Sequence, residues 1–317
     1  MTVIRSVQKE AKGRTSSTFC SIFLLLFVFI FAFFFSGRIS ESVISGMRFA
    51  IFTIIPSAYP FMIIGDLYVA IGAPEKIRPL GAVLTRLFGI SEAGLRALIC
   101  GTVAGFPLGA KISAELYTGG DISREEAEIL VAISNNPSIP FVTAAVGGAI
   151  FNDVRIGAFL LIIIYISTVL TANVFRRHSI EYTRSASSSG FSFDFTASVK
   201  NAATASLNIV AFVTFFFSVV GAVSLVVKGE LVSAVISSLL EVTTAVNSAS
   251  SLSLPLSFRL SLTAFALGFG GLSVMMQSSV FTKEAGLSLK KYFILKLTEG
   301  LIAALITAVS LSLFPLF

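Results

Sequence analysis

The chain has 317 residues, 55% apolar and only 13% charged, with a mean hydropathy of +0.91 and a formal net charge of +6. That balance excludes an ordinary soluble domain and points to an integral membrane protein. The basic residues sit mostly between apolar runs, where they read as membrane topology rather than as a nucleic-acid surface, so no nucleic-acid partner is expected.

Arg5, Lys9, Lys12 and Arg14 make a basic leader over 1–18, ahead of an apolar segment read as a first transmembrane helix over 19–37. Its apolar core is longer than the about 7–15 residues of a secretory signal and no A-x-A site follows, so a retained helix is expected. A span over 47–71 and a short amphipathic piece at 79–90 come next. Ala97–Ala110 is uncharged for only 14 residues, about 21 Å of helix, which is short for a crossing. It carries Gly101, Gly105, Pro107 and Gly109, and we read 94–118 as a re-entrant hairpin turning at Gly105-Phe106-Pro107. The same glycines at fourfold spacing also suit a small-residue helix-packing face. Spans at 122–151 and 155–175 follow. The serine-rich stretch 176–200 is a polar linker dividing the chain into halves. Beyond it lie an apolar run at 201–227, an amphipathic piece at 231–247, a second expected hairpin at 257–282 and a last apolar run ending at Phe317.

No P-loop, HExxH or GxSxG occurs, so no enzyme of those types is expected. Cys20 and Cys100 lie in apolar surroundings without metal spacing, and His178 belongs to a basic flank. Neither metal nor cofactor is expected.

The stretch ILVAISNNPSIPFV, 129–142, sets Ser134, Asn135, Asn136 and Pro137 in a run otherwise apolar enough to lie in lipid. Pro137 removes a backbone donor and opens the helix. An unwound segment at that depth is tolerated only where protein or a water-filled cavity satisfies it. Two amides beside such a break suit a polar, uncharged solute, or equally a hydrogen-bonded pair holding helices together. Comparing the halves, ISREEAEILVAISN from Ile122 resembles LSLKKYFILKLTEG from Leu287 at an offset of 165 residues, and AGFPLGAK from Ala104 resembles GFGGLSVM from Gly268. That register sets Ser134 and Asn135 against Glu299 and Gly300 and predicts a second broken helix there. Glu299 is a candidate for a solute hydroxyl or a coupling cation, or is neutralised by Lys296 three residues earlier. Lys111 and Glu115 are i, i+4 partners, and Arg86 and Glu241 fall in the amphipathic pieces, where a solvated or interfacial role is expected. Basic residues place both the leader and the linker in the cytoplasm, which makes the two repeats inverted. Lys283, Lys290 and Lys291 would then lie outside, against the rule, and a crossing at 231–247 would undo the inversion.

GTVAGFPLGAKISAELYTGGDISREEAEILVAISNNPSIPFVTAAVG, 101–147, resembles the G-x-x-x-G-[YF]-P-x-G-A-K and later S/T-N-N pattern of bacterial membrane proteins with the nucleoside recognition (Gate) domain, closest to the sporulation integral membrane proteins of that family. LGFGGLSVMMQ, 267–277, is similar to their second signature. The Gate domain is in turn similar to concentrative nucleoside transporters and to the membrane core of ferrous iron transporters. The resemblance implies hairpins and broken helices around a nucleoside-like solute. It assigns Asn135 and Asn136 to the first broken helix, Glu299 to the second, and Ser273 and Gln277 to the second hairpin.

The sequence therefore predicts an all-α polytopic membrane bundle of two inverted repeats, 46–175 and 201–315, each with a re-entrant hairpin and a broken helix. It is expected to sit in a bacterial cell membrane with a cytoplasmic amino terminus. The expected activity is secondary transport of a small polar solute by alternating access, with a nucleoside as the candidate and Na⁺ or H⁺ as the coupling ion. The candidate binding residues are Phe106, Lys111, Ser134, Asn135, Asn136, Ser273, Gln277 and Glu299, with structural breaks at Gly105, Pro107, Gly109, Pro137, Gly270 and Gly271. The alternative is a non-transporting protein of envelope or spore assembly. A lone subunit and a closed homo-oligomer are both compatible.

Overall fold

The computed structural model describes residues 33–71, 78–175 and 194–314. The basic leader, most of the segment read as a first transmembrane helix and most of the polar linker lie outside the described residues.

The described residues are helical throughout. α1 (Ser36–Phe49) continues through a π-wound turn, Ala50–Ile54, into α2 (Ile55–Ile71). α3 (Arg78–Phe88) turns sharply into α4 (Glu92–Ala104), 91° between Gly81–Phe88 and Glu92–Ala104. Three residues separate α4 from α5 (Leu108–Thr118). α6 (Arg124–Ile133) stops at Ser134, and a π-helix, Phe141–Ile150, resumes after the gap. α7 (Val154–Phe175) and α8 (Phe195–Val226) are uninterrupted spans. α9 (Glu230–Leu240) and α10 (Val242–Ser250) meet at Glu241. α11 (Leu256–Phe269) and α12 (Gly271–Glu284) join at Gly270 to make one broken span, and α13 (Leu289–Leu313) is continuous. Four helices among the described residues are long and apolar enough to cross a membrane, or up to six if each bent pair counts as one. This is a multi-pass membrane protein.

The helix starts follow local chemistry. Ser91, Ser123, Asp194 and Ser288 each accept a backbone N–H of the first turn of the helix they precede, at 3.0–3.2 Å. The outward faces are apolar at a helical spacing. Ile162, Ile166, Leu170 and Val174 form one stripe on α7, and Leu301, Leu305, Val309 and Leu313 another on α13, all exposed. Such stripes suit contact with lipid.

Long-range contacts give direction to the spans. Arg124 Nη2 donates to Gly286 O at 2.8 Å and Lys291 Nζ meets Glu128 Oε2 at 3.1 Å, so the start of α6 sits beside the α12–α13 loop. Asn173 Nδ2, near the end of α7, donates to Leu87 O, which brings the approach to the linker to the same end. At the opposite end Arg259 Nη2 donates to Ser250 O and the Arg259 guanidinium lies 5.7 Å from the Phe151 ring centre. The broken span α6 to Ile150 therefore runs from the Gly286 end to the Arg259 end, and the broken span α11–α12 runs the other way.

Three expectations are corrected. The helix carrying Glu299 and Gly300 has no break: a Cβ on Gly300 would lie 2.9 Å from Phe265 O and from Phe269 Cβ, so this glycine lets α11 approach α13 closely. The stretch 257–282 is a broken span rather than a hairpin, because Gly270 and Gly271 (φ +80° and +76°) interrupt it without folding it back. The piece at 231–247 is not a solvated surface helix: α9 and α10 pack on each other, and the join at Glu241 is buried against Gly271. The expected 165-residue register is not followed, since it pairs the interrupted α6 with the continuous α13. α5, α6 and α7 start 134, 132 and 135 residues before α10, α11 and α13. Lys283, Lys290 and Lys291 lie at the end where α7 approaches the linker.

Candidate functional site

The break after Ile133 is satisfied partly by its own turn and partly by the hairpin facing it. Phe106 N, at the hairpin turn, donates to Asn136 O at 2.9 Å, and Asn136 Nδ2 returns a bond to Ile133 O at 3.0 Å. Pro137 has no N–H to satisfy, and Ser138 Oγ accepts from Phe141 N at 3.4 Å as the chain turns helical again. Close backbone approach makes this contact. A Cβ on Gly101 would stand 1.8 Å from Ser134 O, one on Gly109 2.1 Å from the same atom, and one on Gly105 2.7 Å from Ser138 N. Hairpin turn and small-residue face, posed as alternatives by the sequence, are both present. Gly109 itself lies inside α5 and is a packing position, not a break.

A closed polar cluster lies behind the break. Lys296 Nζ donates to Asn136 Oδ1 at 2.8 Å and to Glu299 Oε2 at 2.9 Å, and Thr168 Oγ1 donates to Glu299 Oε1 at 2.8 Å while accepting from Asn136 Nδ2 at 3.0 Å. Lys296, Glu299, Asn136 and Thr168 are 1%, 0%, 2% and 0% exposed, so charge compensation here is internal. Asn135 Nδ2 donates to Ser278 Oγ and Tyr292 OH, both at 2.8 Å, while its Oδ1 is buried without a hydrogen-bond partner. Ser134 Oγ bonds Leu130 O at 2.6 Å and lies 3.2 Å from Ser113 Oγ.

A separate cavity of about 30 Å³ lies where the hairpin tips and the broken spans converge. The first tip contributes Gly105 and Phe106, the first break Ser138, the second tip Glu241 and Thr243, and α12 Gln277. Glu241 Oε2 accepts from Thr244 N at 2.7 Å as the cap of α10. Gln277 Nε2 donates to Ser273 Oγ at 3.3 Å. Among the lining residues Glu241 carries the one formal charge.

The sequence-predicted residues therefore divide. Phe106 and Gln277 line the cavity and Ser273 supports Gln277, whereas Asn136 and Glu299 belong to the closed cluster and Asn135 and Ser134 to bonds beside it. Lys111 pairs with Glu115 at 3.7 Å and does not line the cavity. Sequence reasoning missed Glu241, although one signal was available: an acid directly after the uncharged run Leu231–Leu240. Glu126, in the first turn of α6, is 3% exposed and accepts from Ser91 N at 2.7 Å, tying the start of the hairpin to α6.

The chain is 25% identical over 294 residues to the sporulation integral membrane protein YlbJ of Bacillus subtilis (strain 168), a similarity covering 79% of this chain and 72% of that protein. No family model matches the chain. No solved structure matches it.

Proposed function

We propose that the protein is a secondary carrier of the Gate type, not an enzyme, that moves a small polar solute by alternating access between two inverted repeats. The observation that carries this reading is the convergence of both hairpin tips and the first break on one enclosed cavity furnished with Glu241, Gln277, Ser138 and Thr243. Oppositely directed broken spans supply the two-sided construction that alternating access needs.

The solute proposed is a nucleoside, with Glu241 and Gln277 as hydrogen-bonding groups for its hydroxyls and base and Phe106 as an apolar wall. A cavity of about 30 Å³ is far smaller than the ~300–1,000 Å³ of pockets that hold drug-sized ligands. Loading therefore requires a hairpin to move, and the described form is the closed one. The proposed location is the bacterial cell membrane, with the linker and the Gly286 end in the cytoplasm; a role in sporulation is part of the proposal, in line with the YlbJ relative. A non-transporting role in envelope or spore assembly is the second reading. It is favoured by the internal satisfaction of Asn136, Lys296 and Glu299, which suits a structural fastening as well as a carrier.

The test is uptake of a labelled nucleoside panel into proteoliposomes, with and without Na⁺ and proton gradients, comparing wild type with Glu241→Gln and Gln277→Ala. Saturable uptake lost in both variants, with an unchanged melting profile, supports the carrier. A folded, inserted wild type that takes up no nucleoside under any gradient removes the nucleoside assignment.

A further inference from the structure

Lys296 sits where a dissociable cation would sit. Its side chain is 1% exposed, and its ammonium is held by two oxygens from different elements, the amide oxygen of Asn136 in the first break at 2.8 Å and the carboxylate of Glu299 on α13 at 2.9 Å. Carboxylate and amide oxygens are the donors that hard cations take. The arrangement is secured from a third element, because Thr168 on α7 holds the other Glu299 oxygen at 2.8 Å and the Asn136 amide at 3.0 Å. The carboxylate and the amide that face the ammonium are thus each held through their other atom, Glu299 Oε1 and Asn136 Nδ2, by a bond that does not involve Lys296 itself.

We propose that this cluster is a monovalent-cation site permanently filled by a tethered ammonium, so that the break, α7 and α13 are joined without a free metal ion. The cluster is neutral as built. Removing the ammonium while leaving room for a replacement exposes a buried carboxylate, and a small cation from solution then takes the vacated position. The inference does not depend on transport. If the protein is a carrier, a Na⁺ gradient does not act through this cluster, and a coupling ion binds elsewhere.

The experiment is the melting temperature of purified, detergent-solubilised full-length protein at fixed ionic strength and pH, in NaCl, KCl or NH₄Cl against choline chloride. Five proteins are compared: wild type, Lys296→Ala, Lys296→Met, Glu299→Gln and Lys296→Ala/Glu299→Gln. Any stabilisation of the wild type by one of these cations is expected to persist in Glu299→Gln. Lys296→Ala is expected to melt lower in choline and to regain several degrees, saturably, in at least one small cation. Lys296→Met, whose side chain fills the space, and the double variant, which lacks the carboxylate, are expected to show no such gain. A Lys296→Ala protein stabilised by acid but by none of the cations would overturn the proposal, since a protonated Glu299 then suffices. So would failure to recover folded Lys296→Ala in any salt while Lys296→Met folds. Saturable stabilisation of the wild type by one cation, lost on Glu299→Gln, would equally overturn it.

Discussion

Gly101 and Ser134 are in direct backbone contact: a methyl group on Gly101 would stand 1.8 Å from the Ser134 carbonyl oxygen. The hairpin can satisfy the break only because no side chain separates them. Gly101→Ala is therefore expected to destabilise the protein by at least the about 1–3 kcal/mol typical of overpacking. Gly37→Ala, with nothing within 4 Å of the added group, is expected to be neutral or slightly stabilising. Melting temperatures of the two variants in one detergent check the contrast, and equal shifts would refute it.

Lys296→Met and Glu299→Gln, taken singly, are each expected to cost about 3–5 kcal/mol, because each leaves one charge or polar partner buried without compensation. The double variant should cost less than the sum of the singles. A double-mutant cycle from unfolding in detergent measures the difference, and additivity would show the two side chains to be uncoupled.

The directions assigned to the broken spans predict a labelling pattern. Thr118→Cys and Glu284→Cys, both exposed and near the α6 start and the Gly286 loop, should react with an impermeant thiol reagent from the same side of oriented vesicles. Ser253→Cys, beside the Arg259 end, should react only from the other side. All three reacting from one face would disprove the opposite directions of the two broken spans.

Asp153 sits in the loop between the π-helix and α7, where hydrogen bonds from the Arg155 side chain hold its carboxyl below the ordinary carboxylate range. A lowered folded-state pKa contributes stability that is present above the unfolded-state pKa and lost as pH falls through the folded one. The pair is exposed and screened, so Asp153→Asn is expected to leave the melting temperature near pH 7 almost unchanged and to flatten its fall in the acid range. A large loss at neutral pH would indicate a structural role the geometry does not suggest.

Sequence alone settled the solvent and the class of element: an apolar excess, long uncharged runs and few charges admit only helices in lipid. It also located the first break, because Pro137 removes a donor and Asn135 and Asn136 announce polar atoms that need partners. The first hairpin was legible too, since Ala97–Ala110 is too short to cross and carries its turn residues. The second hairpin was not: Glu241 has neither proline nor glycine beside it, and its acidic side chain reads as solvated until α9, α10 and Gly271 are seen to enclose it. A break was expected at Glu299 and Gly300 because the 165-residue register set them opposite Ser134 and Asn135, and only the positions of Phe265 and Phe269 show Gly300 to be a packing position. Likewise Lys296 and Glu299 lie three residues apart in any helix, but whether they bind a solute or each other depends on Asn136 and Thr168, 160 and 131 residues distant in the chain. Local chemistry is written in neighbouring residues; the choice between a solute site and a closed cluster rests on contacts between remote segments, which tertiary packing alone creates.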